Sequence, residues 1–149
     1  MKVSDVINPN AVDLNMDAHN KEEALARLCE LLEKDGSVTS AELFKKDVYF
    51  RESEGHTGIG DGVAIPHGKS ETVLKTCIAI GRCKEPIEWE TIDGKPVRVI
   101  ILFAVSKDDK NNYFVKLMSE VARMLAHPGT AEKLLRCADC GELLAIFDT

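Results

Sequence analysis

The chain has 149 residues, 44% of them hydrophobic and 30% charged, which suits one globular domain with a real core. Its formal net charge of −6 argues against nucleic acid as the main partner and permits a protein partner with a basic face. No apolar run approaches the roughly 20 residues that cross a bilayer, and the first residues lack the apolar core of a secretory signal. The five cysteines predict free thiols, so we expect a cytoplasmic protein that is not embedded in a membrane.

The chain begins with a predicted strand and a predicted helix. Residues 1–20 are typical of a short strand, with a turn at the Asn-Pro-Asn of residues 8–10. Apolar residues then recur at helical spacing after Asn20, which forms a capping box with Glu23. Gly36 is expected to end this helix.

A second helix is predicted to begin at the capping box of Thr39 and Glu42. Its apolar residues Phe44 and Val48 share one side with Arg51, so this arginine is expected to face the core or a cleft. The alternative is a surface arginine that interacts favourably with the dipole at the end of the helix.

A glycine-rich turn is predicted at residues 55–62, before a short strand at residues 63–65. Alternating glycines allow the backbone to approach another group closely or to adopt positive φ. Because these glycines precede a strand, they are not a dinucleotide fingerprint, and the Gly-Lys-Ser/Thr ending of a P-loop is missing. Pro66 follows the strand and delivers His67.

Arg51 and His67 bracket this stretch and suit phosphoryl chemistry together. A histidine is largely neutral near neutral pH, so its imidazole can act as a nucleophile. The planar guanidinium of an arginine is permanently charged and can hold phosphate oxygens through two parallel hydrogen bonds.

The second half of the chain predicts three strands. They cover residues 76–82, 86–92 and 97–105, and Asp93-Gly94 is a strong hairpin signal between the last two. The alternation around Trp89 predicts a strand with one wet face, whereas the almost continuous apolar run at residues 97–105 predicts a strand covered on both faces.

Helices are predicted to complete the fold. After a polar loop at residues 108–112 they cover residues 113–126, 130–136 and 141–147. Helices thus flank about four strands, which predicts a single layered α/β (or α+β) domain.

The stretch RESEGHTGIGDGVAIPHG at residues 51–68 resembles the signature of phosphotransferase-system EIIA proteins of the fructose–mannitol type. Nitrogen-regulatory EIIA proteins share this signature. Residues 86–97 and 114–126 resemble the same family, and the likeness covers nearly the whole chain. It implies a mixed β-sheet flanked by helices and one type-2 EIIA domain over residues 1–149.

The resemblance also implies an activity. A phosphohistidine on HPr, or on its nitrogen-branch counterpart, donates phosphate to His67, which passes it to an EIIB domain and finally to a sugar. Arg51 would stabilise the charge on the peripheral oxygens. The Thr57 hydroxyl and the amides of residues 57–62, including Gly58, could donate further hydrogen bonds. No cofactor and no metal is implied.

The alternative within the family is a regulatory binding module. There the phosphorylation of His67 would change which proteins bind, because it adds charge at the site. A phosphate-handling hydrolase is a more distant alternative, since it would need a general base for water and the sequence offers no convincing candidate.

The chain departs from the family pattern at one helix. The family usually has a second histidine where this sequence has Phe114, so the usual helper of His67 is absent. His56 stands where the family more often has a small hydroxyl residue. It either supplies part of the missing function or is an exposed loop histidine.

Cys137 and Cys140 form a C-x-x-C pair that could be redox-active or half of a zinc site. A zinc site needs a second pair of ligands, and only Cys29 and His127 remain, scattered along the chain. We therefore expect two structural cysteines and no metal.

Overall fold

The computed structural model describes residues 2–148. A short 3-10 helix covers Val3–Asp5. The strands are β1 at Ile7–Met16, β2 at Gly58–Gly60, β3 at Val63–Ala64, β4 at His67–Ser70, β5 at Cys77–Ile87 and β6 at Val97–Ser106. The helices are α1 at Lys21–Asp35, α2 at Ala41–Glu52, α3 at Tyr113–Ala126, α4 at Thr130–Arg136 and α5 at Cys140–Ile146.

The strands form one mixed sheet in the order β1-β5-β6-β3-β2. β4 continues the line of β3 and also pairs with β6. The β5–β6 and β2–β3 pairs are antiparallel, whereas β6 is parallel to β3 and β4, and β1 is parallel to β5. The predicted layered α/β fold with a mixed sheet is confirmed.

β6 lies at the centre of the sheet and is buried on both faces, as its apolar run predicted. Ile100 and Leu102 belong to the core that α1 and α2 cover, whereas Ile101 and Phe103 belong to the core under α3, α4 and α5. Because side chains alternate along a strand, one apolar run supplies both cores.

Both predicted ends of α1 are confirmed, whereas α2 begins one residue later than predicted. The Asn20 side chain accepts a hydrogen bond from the backbone N–H of Glu23, and Gly36 ends α1 at a φ of 87°. α2, however, is capped by Ser40, whose Oγ accepts from the N–H of Leu43 at 3.2 Å. The prediction of Thr39 as the cap was wrong by one residue, because the neighbouring serine offers an equivalent hydroxyl.

The turn predicted at residues 8–10 was wrong, because these residues lie inside β1. β1 is an edge strand, and its pairing with β5 shifts register between Ile7 and Val12, where Pro9 sits. A proline is tolerated at an edge or a bulge because no second neighbour needs its missing N–H.

The separate strand predicted at residues 86–92 was also wrong. β5 continues to Ile87, and the chain then leaves the sheet, with Trp89 turned into the core and Ile92 exposed. The Asp93 carboxylate accepts from the N–H of Lys95 at 3.0 Å, which stabilises the turn. β5 and β6 therefore pair as predicted, but residues 88–96 connect them as a long loop rather than as a tight hairpin.

The last three helices agree with their predictions to within one residue. α3 and α4 have the predicted bounds, and α5 begins and ends one residue earlier than expected. Between residues 2 and 148, every helix is too short or too polar to cross a bilayer.

α2 packs directly on β4, and Gly68 makes this possible. A Cβ on this residue would lie 2.8 Å from Val48 Cγ2 and 3.1 Å from the Val48 backbone nitrogen. The first contact is shorter than real Cβ atoms make and the second is unusually tight, so a larger residue would force the Val48 side chain or the helix to shift.

We therefore expect Gly68→Ala to destabilise the protein by about 1–3 kcal/mol, because the added methyl group overpacks the helix–strand contact. Urea denaturation would measure this loss. Lys69→Ala, at the exposed neighbouring position of β4, is the matched control and should change the stability by no more than about 0.5 kcal/mol. Equal stability of the two variants would contradict the packing argument.

Candidate functional site

His67 is placed by a break between two short strands that both pair with β6. β3 ends at Ala64, and the carbonyl of Pro66 accepts a hydrogen bond from the N–H of Phe103 at 3.0 Å. His67 then opens β4 directly beside Phe103. The residues on either side of His67, Pro66 and Gly68, therefore both pair with the central strand β6, which fixes the backbone of this histidine.

The imidazole of His67 is partly exposed and packs against an aromatic side chain. Its ring centroid lies 4.9 Å from that of Phe114, which in turn makes an edge contact with Phe103 at 5.8 Å. The Nδ1 atom is buried and has no hydrogen-bond partner within residues 2–148. Nε2 is thus the ring nitrogen that another protein can reach.

Two effects lower the pKa of His67 from 6.5 to about 4. The larger is burial, which disfavours the charged imidazolium, and the second is the positive charge of Arg51. At neutral pH the ring is therefore neutral and keeps a lone pair on one nitrogen, as a nucleophile requires.

Arg51 lies in the last turn of α2, half-buried and one turn beyond Val48 on the side that packs on β4. Its Nη1 donates a hydrogen bond to the carbonyl oxygen of Gly55 at 3.4 Å, the only hydrogen bond of this guanidinium within the described part of the chain. The positive charge of Arg51 is the second cause of the lowered pKa of His67, after burial. Arg51 and His67 thus lie on two elements that pack together, α2 and β4, and their joint role in binding phosphate stays a prediction.

Thr57 and Gly58, the predicted phosphate donors, are engaged within the protein. The Thr57 hydroxyl donates its only proton to Glu52 Oε1 at 2.9 Å and accepts from Trp89 Nε1 at 3.1 Å. The N–H of Gly58 donates to the carbonyl oxygen of Glu90 at 3.2 Å. Phosphate binding by these two groups stays a prediction, and it would require these bonds to open.

The glycines of the turn have the two uses that the sequence analysis considered. At Gly58 a Cβ would lie 2.1 Å from the Thr91 methyl group, so the backbone approaches a neighbour closely. Gly60 and Gly62 adopt positive φ, at 95° and 80°. His56, in the loop before this turn, is exposed, and its contact with phosphate stays a prediction.

Sequence reasoning missed a polar cluster beneath the turn. It consists of Lys21 at the start of α1, Glu52 at the end of α2, and two loop residues, Thr57 and Trp89. Two signals pointed to it: Glu52 directly follows Arg51, and Trp89 is the only tryptophan of the chain. Neither signal specifies the contacts, because their partners are distant in sequence.

The C-x-x-C pair lies outside this site. Cys137 is buried at the end of α4, where its Sγ lies 3.5 Å from Arg82 Nη1, and Cys140 begins α5. All five cysteines are free thiols. Within residues 2–148 no three metal-ligating side chains lie together.

Comparisons with known proteins show which family this chain resembles. The sequence profile of the family described as "Phosphoenolpyruvate-dependent sugar phosphotransferase system, EIIA 2" matches residues 5–149. The fructose-specific EIIABC component of the PTS system of Bacillus subtilis (strain 168) is 30% identical over 148 residues, which are 99% of this chain and 23% of the relative. The fructose-like EIIA component of the PTS system of Escherichia coli (strain K12) is 27% identical over 142 residues, which are 95% of each protein.

The solved structures show the same fold. The nitrogen regulatory protein IIA-Ntr from Neisseria meningitidis superposes with a TM-score of 0.88 at 28% identity, covering 97% of this chain and 98% of that one. The chain spans about a quarter of the length of the first curated relatives that it matches. The family profile spans all but the first residues. The chain therefore belongs to the EIIA 2 family of the phosphoenolpyruvate-dependent sugar phosphotransferase system.

Proposed function

We propose that this chain is a phosphocarrier whose His67 accepts a phosphoryl group from a phosphohistidine on an HPr-like protein and passes it to an EIIB domain. The observation that carries the proposal is the state of His67: a neutral imidazole with one reachable nitrogen, beside a guanidinium. Membership of the EIIA 2 family supports the reaction type.

The transfer is a direct exchange between two imidazoles. The lone pair on Nε2 of His67 attacks phosphorus, a new N–P bond forms, and the N–P bond to the donor histidine breaks. Each ring keeps its own proton on its other nitrogen, so no proton moves and no general base is needed. Catalysis then depends on positioning the two rings in line and on stabilising the charge of the three peripheral oxygens.

Arg51 supplies that stabilisation. Its guanidinium makes one long hydrogen bond to Gly55 and keeps its other donors available for phosphate oxygens. The apolar contact with Phe114 favours the second step, which is the transfer of phosphate from His67 to the acceptor. A phosphorylated imidazole is positively charged when its other nitrogen is protonated, and the apolar contact disfavours this charge. The phosphoryl group therefore remains easy to transfer onward.

The proposed acceptor is an EIIB domain in the cytoplasm. The similar protein of Bacillus subtilis is an EIIABC component, which supports a B domain as the next carrier. Five free thiols support a reducing compartment. The regulatory alternative differs in the fate of the phosphate, which would stay on His67 and change protein binding instead of moving on.

Incubation with phosphorylated HPr tests the proposal. We expect the wild-type chain to take up labelled phosphate and His67→Gln to take up none, because the nucleophile is gone. Arg51→Lys should retain the charge but lose bidentate binding, lowering the rate by about tenfold or more. His127→Gln, at an exposed histidine after α3, is the matched control and should behave as wild type.

Adding an EIIB domain to the labelled protein separates the carrier from the regulator. Loss of the label to EIIB supports the carrier. Label that stays on His67 in the presence of several EIIB domains would favour the regulatory module, and label on any other residue would contradict both.

The rate of phosphate uptake should also depend on pH in a specific way. A histidine with the ordinary pKa of 6.5 would lose its nucleophilic form as the pH falls through that value, whereas His67, with its pKa lowered to about 4, should stay neutral and active well below it. We expect the uptake rate of His67 to fall only near pH 4, provided that the donor is kept saturating. An NMR titration of the His67 ring measures the same pKa directly.

Two substitutions of Phe114 test the cause. Phe114→Ser should raise the pKa of His67 towards 6.5, because water reaches the ring, and Phe114→Leu should raise it less, because leucine still excludes water. An equal pKa in both variants would contradict burial as the main cause.

A further inference from the structure

We propose that Glu52 and Thr57 are positioning residues for phosphoryl transfer. The Glu52 carboxylate holds the Thr57 hydroxyl, and this contact fixes the loop against which Arg51 is oriented. The inference rests on the proposed function for its consequence, but the contacts themselves are independent of it.

The carboxylate of Glu52 is deeply buried beneath the active-site loop, with 5% of its side chain exposed. Its Oε1 accepts from Thr57 Oγ1 at 2.9 Å and pairs with Lys21 Nζ at 2.6 Å. Its Oε2 is buried and has no partner within residues 2–148. One oxygen thus joins the start of α1, the end of α2 and the loop.

Thr57 is held from a second side as well. Trp89 Nε1 donates to its hydroxyl at 3.1 Å, and Lys21 Nζ lies 4.8 Å above the Trp89 ring. The backbone continues this attachment, because the N–H of Gly58 donates to Glu90 and its carbonyl accepts from Ile92. The loop that follows α2 is therefore anchored at its far end.

The part of the same loop that is nearer to α2 contacts Arg51. Arg51 and Glu52 are adjacent in sequence at the end of α2, but their side chains contact different residues of the loop. Arg51 Nη1 bonds to the carbonyl of Gly55, which lies between Glu52 and the anchored Thr57. A loop released at Thr57 would carry this carbonyl away and leave the guanidinium without its protein contact.

Stability alone is a poor reason for this arrangement. Burying a carboxylate is costly, and replacing a buried ion pair by apolar groups is often neutral or stabilising. Here the cost is increased because the Oε2 atom of Glu52 has no partner among the residues that the structure describes. The cluster nevertheless lies directly beneath the loop to which Arg51 is bonded, so the gain is in the position of the guanidinium.

A double-mutant cycle tests the inference by single-turnover transfer from phosphorylated HPr. Thr57→Val and Glu52→Leu, each of which removes one partner of the hydrogen bond, should each lower the maximal rate by about tenfold or more and leave the donor concentration for half-maximal rate within about twofold. The double variant should be no slower than either single variant, because both break the same link. Thr57→Ser, which keeps the hydroxyl, should restore the rate.

Two controls remove the simpler explanations. Glu90→Gln deprives Lys21 of its exposed partner but keeps the buried pair, and it should leave the rate unchanged. Lys21→Met combined with Glu52→Leu replaces the buried ion pair by apolar groups and leaves no unpaired buried charge, so it should be folded and still slow. A folded Glu52→Leu with the wild-type rate would overturn the inference, as would additive effects of Thr57→Val and Glu52→Leu, which would indicate that Thr57 contacts phosphate itself.

Amide hydrogen exchange separates this inference from the proposed function. Faster exchange at residues 54–57 in Thr57→Val and Glu52→Leu, with no such change in Glu90→Gln, supports the anchored loop even if the wild-type chain takes up no phosphate. Unchanged exchange in both variants would overturn the inference even if phosphate uptake is normal.

Discussion

The close contact between α2 and β4 is the constraint on which the rest of the site depends. Gly68 lets the backbone of α2 come against the strand at Val48, and the same two elements carry Arg51 and His67. The absence of a side chain at Gly68 therefore allows the helix that carries Arg51 to pack closely on the strand that carries His67.

The surroundings of His67 combine two influences that reinforce each other in the resting protein. The Phe114 ring removes water from one side of the imidazole, and Arg51 adds positive charge nearby, so both disfavour protonation. In the proposed phosphoryl transfer these two groups have different effects. The arginine would attract the anionic oxygens, while the aromatic ring would give the imidazole no polar contact that holds it in the phosphorylated state.

Helices and the central strand could be predicted because their signals are local. Asn20 and Gly36 act within one turn of α1, and the apolar run of β6 needs no knowledge of its neighbours. The errors occurred where tertiary contacts decide, as in the edge strand that accommodates Pro9 and the loop that buries Trp89. The roles of Arg51 and His67 are predictions from a recognisable stretch of sequence, whereas the contacts of Glu52 required the folded chain.

The buried Nδ1 of His67 has a consequence for the order of events. If His67 carries phosphate as proposed, a donor and an acceptor must both reach the ring from the side opposite the buried Nδ1, so their complexes with this chain would be mutually exclusive. Carriage would then be a double-displacement process with two half-reactions. Each partner would act as a competitive inhibitor of the other, and flux would be greatest when neither complex lasts long.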